Sequence, residues 1–228
     1  MKKGKLIVIE GTDCSGKETQ VKRAVEEYAK RGQKIYNYCY PNYNSPTGKI
    51  VGGPYLGKTS ICEGWFSEGA TNVDALVASA YYAADRRYNI DKVKKHLENG
   101  DIVLLDRYVE SNMAHQGGKI KDKNERLKMY KKLDDLEFGI MELPRPDAVI
   151  FLYMPYEYAA ILKKSRSENL DQHELNMEHL KNAEAAYLEL TKIYNFIKID
   201  CVKNDVIRTI DDINKELVKK IEGIINDR

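Results

Sequence analysis

The sequence predicts an α/β fold in which helices cover both faces of a five-stranded parallel sheet. Four short apolar runs, at residues 6–9, 102–105, 148–152 and 196–199, are typical of strands that are buried on both faces. A fifth run, at 34–40, is more polar, and we expect it nearer an edge of the sheet. Helical patterns separate these runs, and such alternation indicates right-handed βαβ crossovers. Ligands of such sheets bind beyond the carboxyl ends of the strands.

Helices are expected between and after the strands, and two of them end in recognisable stop signals. The first is followed by Gly32 and the second by Asn99-Gly100, which are residues that commonly terminate a helix. The predicted helices span residues 17–31, 73–98, 124–141, 157–164, 174–194 and 205–225. Two stretches, 42–69 and 163–171, resist assignment, and long irregular connections often act as lids or binding loops.

Composition predicts one medium-sized domain over residues 1–228. Apolar residues make up 43% and charged residues 32% of the chain, as in an ordinary globular protein. Lys plus Arg number 37 and Asp plus Glu 35, and this balance argues against a general nucleic-acid binder. The four cysteines form no C-x-x-C pair, so we expect neither a zinc site nor disulfides. No segment resembles a signal peptide or approaches the ~20 apolar residues of a membrane span, so a cytoplasmic protein is expected.

A phosphate-binding loop follows the first predicted strand. Residues 11–17, here called the phosphate loop, fit G-x-x-x-x-G-K between a strand and a helix, the context that this motif requires. Its glycines let backbone N–H groups converge on phosphate oxygens, and the helix N-terminus adds a favourable dipole. The predicted ATP-binding residues are Gly11, Thr12, Asp13, Cys14, Ser15, Gly16, Lys17, Glu18 and Thr19. The motif therefore predicts a P-loop nucleotide-binding fold with three α/β/α layers, in which Lys17 faces the β/γ bridge of ATP.

The position after the lysine departs from this motif and bears on the metal. Ser or Thr normally binds Mg²⁺ there, but this chain has Glu18, with Thr19 one step later. Glu18 either ligates Mg²⁺, directly or through water, or points away as a favourable carboxylate at the helix N-terminus. Asp106, which follows the apolar run at 102–105, is the other expected Mg²⁺ ligand, because the end of its strand is expected to lie beside the phosphate loop.

Several segments resemble signatures of the thymidylate (dTMP) kinase family, in the order in which the family carries them. Residues 106–117 fit D-R-Y-x-x-S-x-x-A-[YFH]-Q-G, residues 82–86 fit [FY]-x-A-[DN]-R and residues 143–147 fit L-P-x-P-D. The phosphate loop through Gln20 is also similar to that of the family. The resemblance implies a homodimeric kinase that transfers the γ-phosphoryl group of ATP to dTMP with the help of Mg²⁺.

The resemblance also implies roles for individual residues. Arg107 would hold the acceptor phosphate opposite the phosphate loop, a task that suits the forked donors of a guanidinium. Arg86 would contact the same monophosphate, and Tyr82, one turn earlier, would stack on thymine, although Tyr82 could equally be a core aromatic. Asp13 would reach the sugar 3′-hydroxyl and the metal shell. The base and sugar pocket would be lined by Ser111, Asn112, His115 and Gln116.

Three positions differ from the family pattern. Many members carry an arginine where this chain has Tyr43, so one expected phosphate contact is missing. His115 replaces the Tyr or Phe of many members, which leaves the selection of deoxyribose open. Cys14 stands where one type of member has an arginine, and members without it typically supply cations from a mobile lid. We expect that lid at about 163–171 with Arg166 as its catalytic cation, although a charge run can be a solvated helix face.

The alternatives are another acceptor base, a P-loop switch and a non-catalytic nucleotide-binding scaffold. A GTPase would need N-K-x-D, but the only Asn-Lys pair, at 214–215, is followed by Glu-Leu. Transfer between phosphates needs no general base, because the acceptor oxygen is already nucleophilic. The predicted catalytic residues are Lys17, Arg107 and Arg166, which would position and neutralise the phosphates, and Asp13 in the role that the resemblance implies. The predicted acceptor is dTMP, and dUMP, dCMP and dGMP are the alternatives.

Overall fold

A computed structural model describes residues 4–12, 14–164 and 176–226, without the side chains of residues 163 and 164. Its main sheet consists of β1 (Lys5–Gly11), β2 (Ile35–Cys39), β3 (Ile102–Asp106), β4 (Ala148–Tyr153) and β5 (Ile197–Asp200). All neighbours pair in parallel, and the strand order is β2-β3-β1-β4-β5. The five predicted strands are confirmed, and the more polar β2 lies at an edge.

Helices pack on both faces of this sheet. They are α1 (Lys17–Lys30), α2 (Pro46–Ile50), α3 (Ala75–Asn89), α4 (Asp91–Glu98), α5 (Val109–Gly117), α6 (Lys123–Asp134), α7 (Tyr156–Lys164), α8 (Met177–Ile193) and α9 (Ile210–Asn226). Helix α2 continues into a π-helical turn at Val51–Tyr55, and α6 into another at Asp135–Ile140. No helix in the described ranges is long and apolar enough to cross a bilayer.

Two apolar cores, one on each side of the sheet, account for the unbroken apolar runs of the strands. Neighbouring residues of β1 alternate between them, so that Val8 packs with α4, α5, α6 and α8, whereas Ile9 packs with α1, α7 and α9. A strand buried on both faces has no polar side, which is why the sequence shows continuous apolar runs. The three-layer P-loop architecture is thus confirmed.

Two predicted helices were wrong in their extent. The segment predicted as one helix at 73–98 is divided at Ile90 into α3 and α4. At this break the side-chain amide of Asn89 donates to the carbonyl oxygen of Asp85, one turn back, and such side-chain bonds favour helix ends. The last helix begins at Ile210 rather than at 205, because an antiparallel hairpin of β6 (Val202–Lys203) and β7 (Val206–Ile207) precedes it.

Candidate active site

The phosphate loop leaves the carboxyl end of β1 and is fastened to the end of β4. Thr12 Oγ1 donates to the carbonyl oxygen of Met154 at 2.7 Å and accepts from its backbone N–H at 2.9 Å. A Cβ on Gly11 would lie 2.4 Å from Ser15 Oγ and 3.2 Å from the carbonyl oxygen of Leu152, so a larger residue at position 11 would force Ser15 to move. Ser15 Oγ itself is buried and has no hydrogen-bond partner within the described residues. The loop therefore has the compact form that a phosphate cradle needs.

Lys17 and Asp106 meet beside this loop. Lys17 Nζ lies 3.4 Å from Asp106 Oδ1. The pairing follows from the sheet, because Asp106 aligns with Ile9 in the β1–β3 ladder, just before the phosphate loop begins. Glu18, in contrast, is exposed in the first turn of α1, which suits the stabilising helix-terminus role as well as a metal role.

The donor groups suit a magnesium ion that is shared with phosphates. No cluster of three or more His, Cys, Asp or Glu side chains able to hold a metal occurs in the part of the chain that the structure describes. Mg²⁺ is commonly held by only one or two carboxylates together with substrate phosphates and water. Asp106, one carboxylate at the edge of the phosphate loop, fits such a site.

Arg107 follows Asp106 directly, and its side chain contacts residues of α5 and α8. Its backbone has a φ of 65°, a left-handed conformation that is uncommon outside glycine and often found at functional sites. The Arg107 N–H donates to the carbonyl oxygen of Ile9 at 3.1 Å. Its guanidinium Nη1 donates to Ser111 Oγ at 3.2 Å and to the Tyr187 hydroxyl at 3.3 Å. The side chain thus lies across the start of α5, half-buried.

Arg86 lies in a buried ion pair with Glu137. Its guanidinium donates through Nε to Glu137 Oε2 at 2.5 Å and through Nη2 to Glu137 Oε1 at 2.6 Å, and Nη1 donates to the carbonyl oxygen of Tyr108. Both side chains are almost fully buried. Arg86 is thus held by a buried carboxylate in this structure, and its expected contact with the acceptor monophosphate stays a prediction.

The predicted base pocket contains amide groups whose hydrogen-bonding capacity is unused. Asn112 Nδ2 donates to Ser79 O and to Glu137 Oε1, whereas its Oδ1 is buried with no partner among the described atoms. Both side-chain amide atoms of Gln116 are also buried and unpartnered in that part of the chain. Buried polar atoms of this kind are rare in native proteins unless water or a ligand satisfies them.

Two predicted pocket residues have partners within the protein. His115 Nδ1 lies 3.2 Å from His179 Nε2, and the two rings stack with their centroids 5.3 Å apart. Tyr82 is half-buried and meets the Tyr55 ring edge-on at 5.7 Å, in a third apolar cluster beside α3. The thymine-stacking and core-aromatic interpretations of Tyr82 therefore both stay open. Asp13 and Arg166 lie outside the described residues.

Three buried residues of the site were not singled out from the sequence. Glu137 pairs with Arg86, and Glu10 and Tyr187 lie beneath Arg107. Glu10 directly precedes Gly11, the first residue of the phosphate loop. Its position at the end of a strand was the one feature of the sequence that could have indicated a role in the site. Glu137 and Tyr187 each sit within an ordinary helical pattern, which gives no sign of a buried polar contact.

Asp85, the acidic residue of the segment at 82–86, fixes the connection after β2. Its carboxylate accepts from the backbone N–H of Asn42 at 2.9 Å, from Ser45 Oγ at 3.1 Å and from Thr47 Oγ1 at 2.8 Å. Tyr43 lies within this fastened turn, with Lys58 Nζ 5.0 Å from its ring centroid. The turn is thereby held against α3, the helix that also carries Tyr82.

Comparisons with known proteins agree with this geometry. A family model described as thymidylate kinase matches residues 9–213. A probable thymidylate kinase of Methanocaldococcus jannaschii is 30% identical over 218 residues, which is 96% of each chain. The thymidylate kinase of Schizosaccharomyces pombe is 26% identical over 97% of this chain and 93% of its own. A solved thymidylate kinase structure from Candida albicans covers 97% of this chain and 92% of its own, at 25% identity and a TM-score of 0.67. The chain belongs to the thymidylate kinase family.

Proposed function

We propose that this protein transfers the γ-phosphoryl group of ATP to dTMP and so forms dTDP and ADP. The observation that carries the proposal is the adjacency of donor and acceptor groups at the end of β3. Asp106 pairs with Lys17 of the phosphate loop, and the side chain of the next residue, Arg107, donates to Ser111 of α5. Family membership supports the same activity and disfavours a switch or a non-catalytic scaffold.

On the donor side, the phosphate loop would hold ATP by its backbone N–H groups and by Lys17. When bound, Mg²⁺ would supply positive charge that stabilises the phosphates during transfer. Asp106 is the carboxylate placed to hold that ion or its water, and Glu18 stays a second candidate. Asp13 and Arg166 keep their proposed roles on the resemblance alone.

On the acceptor side, Arg107 would bind the monophosphate and α5 would read the base. The Nδ2 group of Asn112 already donates to two acceptors within the protein. The group that Asn112 can offer to a base is therefore Oδ1, which accepts a hydrogen bond. Thymine and uracil carry an N3–H that can donate to this oxygen, whereas N3 of cytosine accepts. Gln116, one turn further along α5, has a buried amide whose donor and acceptor are both unpartnered among the described residues. This arrangement supports dTMP over dCMP, with Ser111, His115 and Tyr82 completing the pocket.

A homodimer formed through α3 is part of the proposal. Leu76, Val77 and Tyr88 expose 47%, 47% and 60% of their surface, and Ala80 and Ala84 are exposed between them. These five positions lie on one face of the helix. Of the other alanines of α3, Ala78 and Ala83 are buried in the core and Ala75 is half-buried. A cytoplasmic location is proposed from composition.

An acceptor panel tests the activity. Purified enzyme, ATP and Mg²⁺ are mixed with dTMP, dUMP, dCMP or dGMP, and ADP release is followed. We expect the highest kcat/KM with dTMP and a poor reaction with dCMP. A preference for dCMP or dGMP would overturn the base assignment, and no release with any of the four would overturn the kinase assignment.

A further inference from the structure

Two hydroxyl groups from distant parts of the chain hold the guanidinium of Arg107. Ser111 lies one helical turn after it, whereas Tyr187 belongs to α8, 80 residues further along the chain. Both hydroxyls also donate to one oxygen of Glu10. Ser111 Oγ lies 2.6 Å from Glu10 Oε2, and the Tyr187 hydroxyl oxygen lies 2.8 Å from the same atom. Arg107 is therefore joined to β1 and α8 through a bridge of two hydroxyls and one carboxylate.

Glu10 anchors this bridge. It is fully buried, and its second oxygen accepts from the backbone N–H of Tyr108 at 2.9 Å and of Ser111 at 3.1 Å. Four donors thus satisfy the carboxylate, which is the condition for retaining a charge in a protein interior. Two of these donors are backbone groups at the start of α5, so Glu10 also fixes the main chain that follows Arg107.

The hydroxyl of Tyr187 has a defined orientation. Burial, followed by the charge of Glu10, raises the pKa of Tyr187 well above its usual range, so the hydroxyl keeps its proton. Since that proton points to Glu10, the lone pairs of the hydroxyl oxygen are directed to other donors, among them Arg107 Nη1 at 3.3 Å. The ring stacks on Phe151 with centroids 5.0 Å apart, which fixes the hydroxyl in place.

We propose that Tyr187, supported by Glu10, is a positioning residue that holds Arg107 in the orientation that binds the acceptor phosphate. The inference deepens the proposed function and rests on it. Without the Tyr187 hydroxyl, Arg107 would lose one hydrogen-bond acceptor, and its side chain would sample more rotamers. Binding of the monophosphate would then have to restrict the Arg107 side chain, and this loss of conformational entropy would weaken the affinity. The ATP site would be unaffected, since Lys17 and the phosphate loop are held by separate contacts.

The test is Tyr187→Phe, which removes the hydroxyl and keeps the stacked ring. Tyr130→Phe is the matched control, because Tyr130 is equally buried in the same core and its hydroxyl bonds to Glu189 instead. Calorimetric dTMP affinity, the KM values for dTMP and ATP, kcat and thermal stability are measured for both variants. For Tyr187→Phe we expect dTMP affinity to fall about tenfold while the KM for ATP changes less than about twofold.

Unchanged dTMP affinity in Tyr187→Phe, or an equal loss in Tyr130→Phe, would overturn the positioning role. If wild-type enzyme bound no dTMP, the proposed function itself would fall, and this role with it. Should Tyr187→Phe fail to fold, Ser111→Ala removes the other bridging hydroxyl and is measured in the same way. It is expected to weaken dTMP with no change for ATP, and an unchanged dTMP affinity would likewise contradict the proposal.

Discussion

At the scale of single residues, Arg107 and Arg86 show how the same side chain acquires different roles. Arg107 is half-buried and donates to the hydroxyl groups of Ser111 and Tyr187. Arg86 donates to the carboxylate of Glu137 in the interior. The sequence signatures locate both arginines, but they cannot distinguish these surroundings, because the Glu137 partner lies 51 residues away in the chain.

Arg107→Ala should remove acceptor binding without unfolding the protein. We expect kcat/KM for dTMP to fall about 100-fold or more, since one charge-assisted bidentate contact is lost in a partly dry site. The KM for ATP should stay nearly constant. The control is Arg145→Ala, which removes an exposed arginine that pairs with Asp134. Normal dTMP affinity in Arg107→Ala would show that the acceptor site is misplaced.

Arg86→Met should act on stability first. It leaves Glu137 buried without its counter-charge, and such losses cost about 3–5 kcal/mol. Urea unfolding should show this drop, and adding Glu137→Leu should recover most of it, because an apolar pair replaces the ion pair. An Arg86→Met variant that is as stable as wild type but has lost dTMP affinity would show that Arg86 serves the acceptor phosphate rather than the stability of the fold.

Glu110 predicts a pH dependence of stability. Burial, followed by the charge of Glu10, raises the pKa of the Glu110 carboxyl from 4.5 to about 8. The folded protein therefore retains a proton that the unfolded chain releases, so this group disfavours the fold increasingly as pH rises from about 4.5 to about 8. Glu110→Gln should raise the melting temperature relative to wild type by an increment that grows over this interval and then levels off. The exposed Glu63→Gln is the control, and a pH-independent increment would contradict the assignment.

At the scale of elements, the sequence predicts strands better than helix ends. The strands are apolar throughout, because both faces of the sheet are covered, and this pattern is unmistakable. The division at Ile90 was missed because buried positions continue in helical spacing through Val93 and Leu97. The hairpin before α9 was missed because strands of two residues have no readable period.

The exposed face of α3 predicts the assembly state. A charged side chain at its centre should separate the proposed dimer, because burying an unpaired charge in an apolar contact is costly. We expect wild type to be dimeric and Ala84→Arg monomeric in sedimentation or light-scattering measurements. Ala185→Arg makes the same substitution at an exposed position of α8 and should stay dimeric. Unchanged assembly of Ala84→Arg would place the interface elsewhere.

At the scale of the whole molecule, the site forms where the carboxyl ends of β1, β3 and β4 meet α5 and α8. The loop motif and the strand-end Asp106 and Arg107 could be predicted, because parallel strands bring their carboxyl ends to one edge. The supporting contacts could not, because Glu10 and Tyr187 are 177 residues apart and join only in the folded chain. Local sequence patterns therefore identify the reacting groups and not the groups that hold them.

In the proposed reaction the phosphate loop binds the donor, ATP, and Arg107 binds the acceptor, dTMP. The most direct test follows the label from [γ-³²P]ATP in the presence of Mg²⁺ and dTMP, with Lys17→Ala as the inactive control. We expect the label to appear in dTDP with wild-type enzyme, and only traces of it with the variant. Label that appears in inorganic phosphate and never in dTDP would contradict the account.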